Sequence, residues 1–326
     1  MKILHRSLKP AALIATLLCL FSCGTIDRSI LGTNAFVNDP QFGTVAQQFT
    51  EVQSTLGINY VRVLFYWNDQ IQATPTSPLN FNFYDDIIQS LPSGMDALVI
   101  LNGLPSWMSD PANWINGDPR ETFVKLWVEP VVQRYSAKSG IVGYEIWNEP
   151  NQASNSQNTT LGLTNSPANY TAMLSSAYQT VKSISPNALV VSAAVTSINE
   201  DYPNSLNYNK GMASAGAQKY ADRWGVHYYS KEFLHLLAPR GVKSFLNSLT
   251  IPIWITESGQ KGWNQQLQYA EEVWPFLQKE INNIERLYQY QFTDSSPVDT
   301  SYGMRNAASG ADSYSNLYDY LKKANQ

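Results

Sequence analysis

Two short stretches decide the fold of this chain: YEIWNEPN at residues 144–151 and IWITESG at residues 253–259. Each is an apolar, strand-like run that reaches a glutamate, Glu149 or Glu257, and then meets a residue that breaks strands. A carboxylate at the end of a buried strand is costly to desolvate unless it has a partner or a chemical task. Two such glutamates predict a paired-carboxylate site built from separate strands, and glycoside hydrolysis requires a pair of this kind.

Outward from these stretches, strand-like and helix-like segments alternate along the chain. We predict strands at residues 32–37, 60–65, 97–102, 141–148, 188–195, 224–229, 251–257 and 286–293. We predict helices at residues 42–56, 119–139, 167–185, 264–283 and 312–324. This alternation predicts an α/β fold, a single-domain (β/α)8 TIM barrel with its active site at the carboxyl ends of the strands. A doubly wound open sheet is the alternative, but its G-x-G-x-x-G turn is absent from the sequence.

Residues 1–22 have the pattern of an export signal. The apolar run at residues 11–21 is shorter than the roughly 20 residues that span a bilayer. Cys23 follows in a setting that resembles a bacterial lipoprotein signal, in which the cysteine is lipidated and anchors the exported protein to the cell envelope. A secreted protein with an ordinary cleaved signal is the alternative. We therefore expect a signal peptide at 1–22, a short tether at 23–31 and the catalytic domain at 32–326.

The composition favours a neutral, hydroxyl-rich ligand. Charged residues make up 15% of the chain, below the roughly 25% of typical soluble domains. The formal net charge is −4 and there is no basic run, so we expect no nucleic-acid partner. Both cysteines, Cys19 and Cys23, lie in or beside the predicted signal. Because no metal-ligand spacing is present either, we expect no disulfide, no metal and no cofactor.

The end of the fourth strand, residues 147–150, and the end of the seventh, residues 256–259, resemble the two catalytic strands of clan A glycoside hydrolases. The neighbouring pattern is most similar to the cellulase-like family 5 and to family 39. The resemblance implies that Glu149 is the acid/base and Glu257 the nucleophile. The acid has to be protonated when the leaving oxygen departs, whereas the nucleophile has to stay ionised. The alternative is that both glutamates are structural members of ion pairs.

Four further polar residues are candidates for the same site. The resemblance implies that Asn148 binds a sugar 2-hydroxyl, and that His227 and Tyr229 match the family's His-x-Tyr in the sixth strand. Tyr229 would then donate to Glu257. Arg62, in the second strand, is the cation expected to keep that nucleophile ionised. Structural alternatives are a capping role for Asn148 and a core position for His227.

The alternation of side chains along the fourth strand predicts a further carboxylate inside the barrel. A period of two puts Glu145, Trp147 and Glu149 on one face. Glu145 is therefore expected to be an inward carboxylate below the site, and pairing with it is the alternative role for Arg62. Asn102 ends the third strand, where family 5 relatives often carry a histidine, and we regard it as a candidate sugar contact.

Aromatic residues in the predicted loops are candidates for stacking on sugar rings. Three tryptophans are proposed to bind substrate in this way, with loop anchoring as the alternative for each: Trp67, Trp107 and Trp263. The eighth strand lacks the tryptophan that relatives place under the substrate. Either Tyr290 or Phe292 is expected to replace it, or the subsite is expected to have a different shape. Long polar loops at residues 152–165 and 197–211 are expected to wall a cleft.

These observations predict a monomeric, retaining glycoside hydrolase that cleaves O-glycosidic bonds of a β-linked oligo- or polysaccharide by double displacement. Two alternatives stay open. A transglycosylase would use the same two glutamates with a sugar acceptor in place of water. A surface lipoprotein could instead bind glycan without cleaving it.

Overall fold

A computed structural model of the protein describes residues 24–308 and 313–326. The predicted signal peptide and Cys23 lie outside the described residues. Among the described residues, no helix combines the length and apolar character needed to cross a membrane.

Eight strands are built from the β-rich runs of the sequence. They are β1 (Leu31–Asn34), β2 (Tyr60–Tyr66), β3 (Asp96–Asn102), β4 (Ile141–Ile146), β5 (Leu189–Ser192), β6 (Trp224–Tyr229), β7 (Ile253–Gly259) and β8 (Ile284–Gln289). They form one parallel sheet in the order β5-β4-β3-β2-β1-β8-β7-β6. Every predicted strand is present, with ends that differ by a few residues.

Helices connect the strands and form the outer layer. They are α1 (Val45–Thr50), α2 (Asn82–Gln89), α3 (Pro119–Phe123), α4 (Glu129–Tyr135), α5 (Ser156–Thr160), α6 (Pro167–Ile184), α7 (Asn204–Ser214), α8 (Leu234–Leu237), α9 (Val242–Leu246), α10 (Gln266–Glu280) and α11 (Asn316–Ala324). A π-helical stretch, Glu51–Thr55, continues α1, and another, Val124–Val128, joins α3 to α4. Three two-residue strands after β8 make a small separate sheet: β9 (Thr293–Asp294), β10 (Arg305–Asn306) and β11 (Ser313–Tyr314).

The sheet closes between β5 and the start of β6. Val191 forms a parallel bridge with Arg223, and the backbone N–H of Gly225 donates to the Ser192 hydroxyl at 3.0 Å. A Cβ at Gly225 would collide with the carbonyl oxygen of Ser192, so only glycine permits this approach. The fold is therefore the predicted single-domain (β/α)8 barrel.

Two apolar cores follow from this closure. Inside the barrel, side chains from four different strands, Leu98, Val191, Trp254 and Tyr288, pack together and fill the end away from the site. Outside it, the alternate residues of the strands pack against the helices, as where Phe65 of β2 stacks on a ring of α2 at 4.1 Å. The filled interior makes the barrel a rigid support for the strand ends.

Five helices of the described chain were not predicted. The loops expected at 152–165 and 197–211 contain α5 and most of α7, so the expectation of loops there is wrong, and α2, α8 and α9 lie where no element was proposed. The α7 sequence is rich in asparagine and includes Gly211, residues with low helix propensity. Burial of Leu206, Tyr208 and Met212 supplies the stability that propensity lacks.

The residues predicted as a tether pack against the barrel from Gly24 onward. The Gly24 N–H donates to the carbonyl of Glu271, and Ile26 is only 4% exposed. The Arg28 guanidinium donates to the carbonyls of Leu56 and Ala324. Within the described part of the chain, this segment therefore belongs to the folded domain and is not a free tether.

Candidate active site

The backbone turns sharply where β4 ends. Trp147 and Glu149 have φ values of 75° and 44°, in the left-handed region that non-glycine residues seldom adopt. Such conformations cost about 1–3 kcal/mol each and concentrate at functional sites. The turn also breaks the strand alternation, because Trp147 packs edge-on against Phe123 in the outer core. The expectation that Trp147 shares a face with Glu145 is therefore wrong.

Asn158 holds this strained turn in place. Its side-chain oxygen accepts from the Trp147 indole N–H at 2.7 Å, and its amide donates to the carbonyls of Glu149 and Gln152. Asn158 is fully buried, so these three bonds are not in competition with water. This residue lies in α5, within the segment predicted to be a loop, and no sequence pattern indicated that it supports the turn at Glu149.

Glu257 is a buried carboxylate with three polar partners. Oε1 accepts from Arg62 at 2.7 Å and lies 3.4 Å from Nε2 of His227. Oε2 accepts from the Tyr229 hydroxyl at 2.6 Å. Burial by itself would raise the pKa of Glu257, but the charges of His227 and Arg62 and the Tyr229 hydrogen bond hold it below its usual range. The structure thus keeps this carboxylate ionised.

Arg62 bonds both to Glu257 at the site and to Glu145, which lies deeper in the barrel. Its guanidinium donates to Glu145 at 2.7 Å, to Asn34 at 2.8 Å and to Asn148 at 3.0 Å, in addition to Glu257. Both roles considered for Arg62 are therefore present together. Because the Asn148 oxygen is occupied by Arg62, its amide nitrogen is the end left to donate to a ligand.

His227 lies between the two glutamates and is fully buried. Its Nδ1 is 3.0 Å from Oε1 of Glu149, and its Nε2 faces Glu257. Burial disfavours the charged imidazole, but Glu257 and Glu149 outweigh it and raise the pKa of His227. A protonated His227 therefore reduces the repulsion between the two carboxylates.

The two glutamates, predicted from separate strands, meet at one site. An oxygen of Glu149, an oxygen of Glu257 and a ring nitrogen of His227 all lie within 4.8 Å of one another. Glu149 is the more accessible, with 19% of its side chain exposed against 10% for Glu257. These three groups could also serve as metal ligands. The Arg62 guanidinium bonded to Glu257 opposes a cation there.

Three tyrosine rings pack around the Glu257 side of the site. Tyr229 lies edge-on to Tyr290 at 6.1 Å and to Tyr302 at 5.4 Å. Tyr290 is partly exposed, whereas Phe292 is fully buried, so Tyr290 is the strand-eight residue placed at the site. Tyr302 comes from the loop after β8, where no sequence pattern indicated a role.

The tryptophans differ from the expectation. Trp67 is fully buried, edge-on to Trp107 and stacked on Trp127, so the prediction that its face stacks on sugar is wrong. Trp107 is half-buried, and its indole donates to the carbonyl of Gln72. Trp263 is also half-buried, and neither it nor Trp107 lines the cavity beside Glu149. Sugar contacts by Trp107 and Trp263 stay predictions.

Asn102 ends β3 as predicted. Its side-chain oxygen is buried and has no hydrogen-bond partner among the described residues. A buried acceptor of this kind is costly unless something bonds to it. The expected sugar contact of Asn102 stays a prediction that this free oxygen supports.

Residues 28–325 match the model of cellulase, glycosyl hydrolase family 5. The chain belongs to glycosyl hydrolase family 5. The predicted resemblance to this family is confirmed, and the match covers nearly all of the described residues. No curated protein matches the sequence.

Solved structures with the same fold include members of family 39. A family 39 β-xylosidase from Caulobacter crescentus has a TM-score of 0.65 at 14% identity, over 94% of this family 5 chain and 73% of the xylosidase. A family 39 glycoside hydrolase from Bacteroides cellulosilyticus WH2 has a TM-score of 0.63 at 14% identity. The match covers 90% of the family 5 chain but only 62% of the Bacteroides protein.

A third solved structure with the same fold is matched along almost its whole length. The endo-1,4-β-mannanase from Rhizomucor miehei has a TM-score of 0.62 at 18% identity, over 92% of this chain and 97% of the mannanase. At such identities the likeness shows the shared barrel fold and does not identify a substrate.

Proposed function

We propose that this family 5 protein is a retaining glycoside hydrolase that cleaves a β-linked oligo- or polysaccharide by double displacement. The approach of Glu149 and Glu257, with carboxylate oxygens within 4.8 Å, carries the proposal. Retaining enzymes hold their two carboxyl groups about 5–5.5 Å apart, whereas inverting enzymes need about 6.5–9.5 Å to admit a water. The close approach of one oxygen from each glutamate favours the retaining geometry.

In the first step, Glu257 attacks the anomeric carbon and Glu149 gives its proton to the departing glycosidic oxygen. The carbon–oxygen bond of the substrate breaks while a bond forms between the sugar and Glu257. Arg62 and Tyr229 are bonded to Glu257 beforehand and hold its oxygens in position. The Asn148 amide donates to the 2-hydroxyl of the sugar.

In the second step, Glu149 takes a proton from water, and the water oxygen attacks the anomeric carbon. Glu257 leaves as a carboxylate, which its lowered pKa favours. His227 contacts both carboxylates and offsets the negative charge as Glu149 passes between its two protonation states.

A substrate screen tests this proposal. Aryl β-glycosides and soluble β-mannan, β-xylan and β-glucan are incubated with the protein, and the anomeric form of the first product is followed by proton NMR. We expect hydrolysis of at least one substrate with initial release of the β-anomer. Initial release of the α-anomer would contradict retention, and no turnover of any member would contradict hydrolysis. Products longer than the substrate would identify the transglycosylase alternative.

A further inference from the structure

A polar groove leads away from the acid/base between the loops that follow β4 and β5. It encloses about 570 Å³, within the range of sites for small organic ligands. Its lining includes Gln152, Thr164, Asn165, Asn204, Asn207 and Tyr208.

The groove is continuous with the catalytic pair. A smaller cavity beside Glu149 shares Gln152, Thr196 and Asp201 with the groove. The backbone N–H of Gln152 also donates to the Glu149 carbonyl at 3.0 Å, so the groove begins one turn beyond the acid/base.

The floor of the groove is a closed hydrogen-bond network. The Asn151 amide donates to the Thr196 hydroxyl at 2.6 Å, and its oxygen accepts from the Thr196 N–H at 2.9 Å. The Thr196 hydroxyl bonds to Asp201, which also accepts from Ser205 and Asn204. Because these side chains bond to one another, the floor is held in shape before any ligand arrives.

The walls of the groove carry polar groups without protein partners. Gln152, Asn165 and Asn207 are exposed, and no side-chain hydrogen bond is found for them within the described residues. The Thr164 hydroxyl is buried and has no partner in the same part of the chain. A primary amide offers donors and an acceptor together, which matches the paired character of sugar hydroxyls. The lining contains no lysine or arginine, and its carboxylate, Asp201, is already bonded within the floor network, so a neutral ligand fits best.

We infer that this groove binds the sugars on the leaving-group side of a neutral β-linked glycan, so that the enzyme cleaves inside chains. This rests on the proposed function, because Glu149 gives its proton to the leaving oxygen. The sugars attached to that oxygen extend past Glu149, into the groove that starts at Gln152. Recognition there depends on hydrogen bonds, since Tyr208, the one aromatic residue of the lining, is only 6% exposed.

The test uses the triple variant Gln152→Ala, Asn165→Ala, Asn207→Ala and the three single variants. Substrates are manno-, xylo- and cello-oligosaccharides of increasing length, beside nitrophenyl β-glycosides whose leaving group is a single small ring. On the long oligosaccharides, we expect each single variant to lower kcat/KM about threefold to tenfold, and the triple variant to lower it more. On the nitrophenyl glycosides, which carry no sugar on the leaving-group side, the losses should be much smaller than on the long oligosaccharides. Products from the long chains should shift toward cleavage near the reducing end.

Asn282→Ala is the matched control. It also removes an exposed side-chain amide, but one that lines a separate cavity at the amino end of β8. Thr164→Val removes the hydroxyl and keeps a similar shape. It should lower kcat/KM on the long oligosaccharides as much as one of the single variants does, and it should affect the nitrophenyl glycosides much less. Equal activity of the triple variant and wild type on every chain length would overturn the inference, and so would equal losses on both substrate types. An inactive wild type would instead contradict the proposed function, so the two failures are distinguishable.

Discussion

The Tyr229 hydroxyl donates a 2.6 Å hydrogen bond to Oε2 of Glu257, while Arg62 bonds to the other carboxylate oxygen. Burial and the charge of Glu257 raise the pKa of Tyr229 well above its usual value, so the phenol keeps its proton and stays a donor. The nucleophile is thus oriented by two donors, one neutral and one charged, on opposite oxygens.

Tyr229→Phe should lower the rate of glycosyl transfer to Glu257 about 10- to 100-fold, because a hydrogen bond to a charged group is lost. The variant should also raise the pKa of Glu257, since the Tyr229 bond is one cause of its depression. The acidic limb of kcat/KM against pH should therefore move to higher pH. Tyr302→Phe is a suitable control, since Tyr302 packs on Tyr229 without bonding Glu257. An unmoved acidic limb in Tyr229→Phe would argue against this role.

Glu257→Ala should reduce turnover by about 10⁴-fold, because the covalent intermediate cannot form. Azide should restore part of the activity and give a glycosyl azide of inverted configuration. Glu145→Ala is the matched control: it also removes a buried glutamate bonded to Arg62, but one placed deeper in the barrel. Azide should not rescue that variant. Near-normal hydrolysis by Glu257→Ala would show that the nucleophile is misassigned.

Glu149→Ala should affect substrates according to their leaving groups. A dinitrophenolate departs with little protonation, so the first step should stay fast on dinitrophenyl glycosides, while oligosaccharides should lose about 10²–10⁴-fold. These measurements are made by burst and steady-state kinetics on both substrate types. Equal losses on dinitrophenyl glycosides and on oligosaccharides would contradict the acid/base role.

The contribution of His227 to the stability of the folded protein should decrease as the pH rises. The pKa of His227 is higher in the folded protein than in the unfolded chain, so protonated His227 stabilises the folded state. This stabilisation is greatest at pH values below the unfolded pKa of 6.5. This contribution is lost as the pH rises through the raised folded value. The Tm difference between wild type and His227→Gln should therefore be largest near pH 6 and shrink toward alkaline pH. His235→Gln is the control, because that residue bonds the carbonyl of Asn199 and neither glutamate. A difference that grows with pH would refute the argument.

Cys23→Ser tests the proposal that the protein is an envelope lipoprotein. A lipidated cysteine with two or more acyl chains anchors firmly, at about 0.8 kcal/mol per buried CH₂. The variant should leave the membrane fraction or accumulate as uncleaved precursor, as followed by fractionation and mass spectrometry. Cys19→Ser, inside the predicted signal, should behave like wild type. Soluble wild-type protein that begins at another residue would end the lipoprotein proposal and leave the hydrolase proposal intact.

Much of the barrel was predictable from the order of its elements. Buried strands such as β3 and β7 are continuous apolar runs that end on polar residues, which local patterning shows directly. The helix α7 was missed because its asparagine-rich sequence has low propensity, and only packing of Leu206 and Met212 against the barrel stabilises it.

Local sequence patterns were enough to predict the barrel and the pairing of Glu149 with Glu257, because each lies near the carboxyl end of a strand and parallel strands bring these ends together. The tertiary structure alone decided which neighbours act on them. Asn158 supports the turn at Glu149 from the short helix α5, and Tyr302 reaches the site from beyond β8. Such contacts join residues far apart in the chain and leave no local periodicity. Trp67 looks in sequence like any aromatic residue at a loop, and only three-dimensional packing places it inside the core.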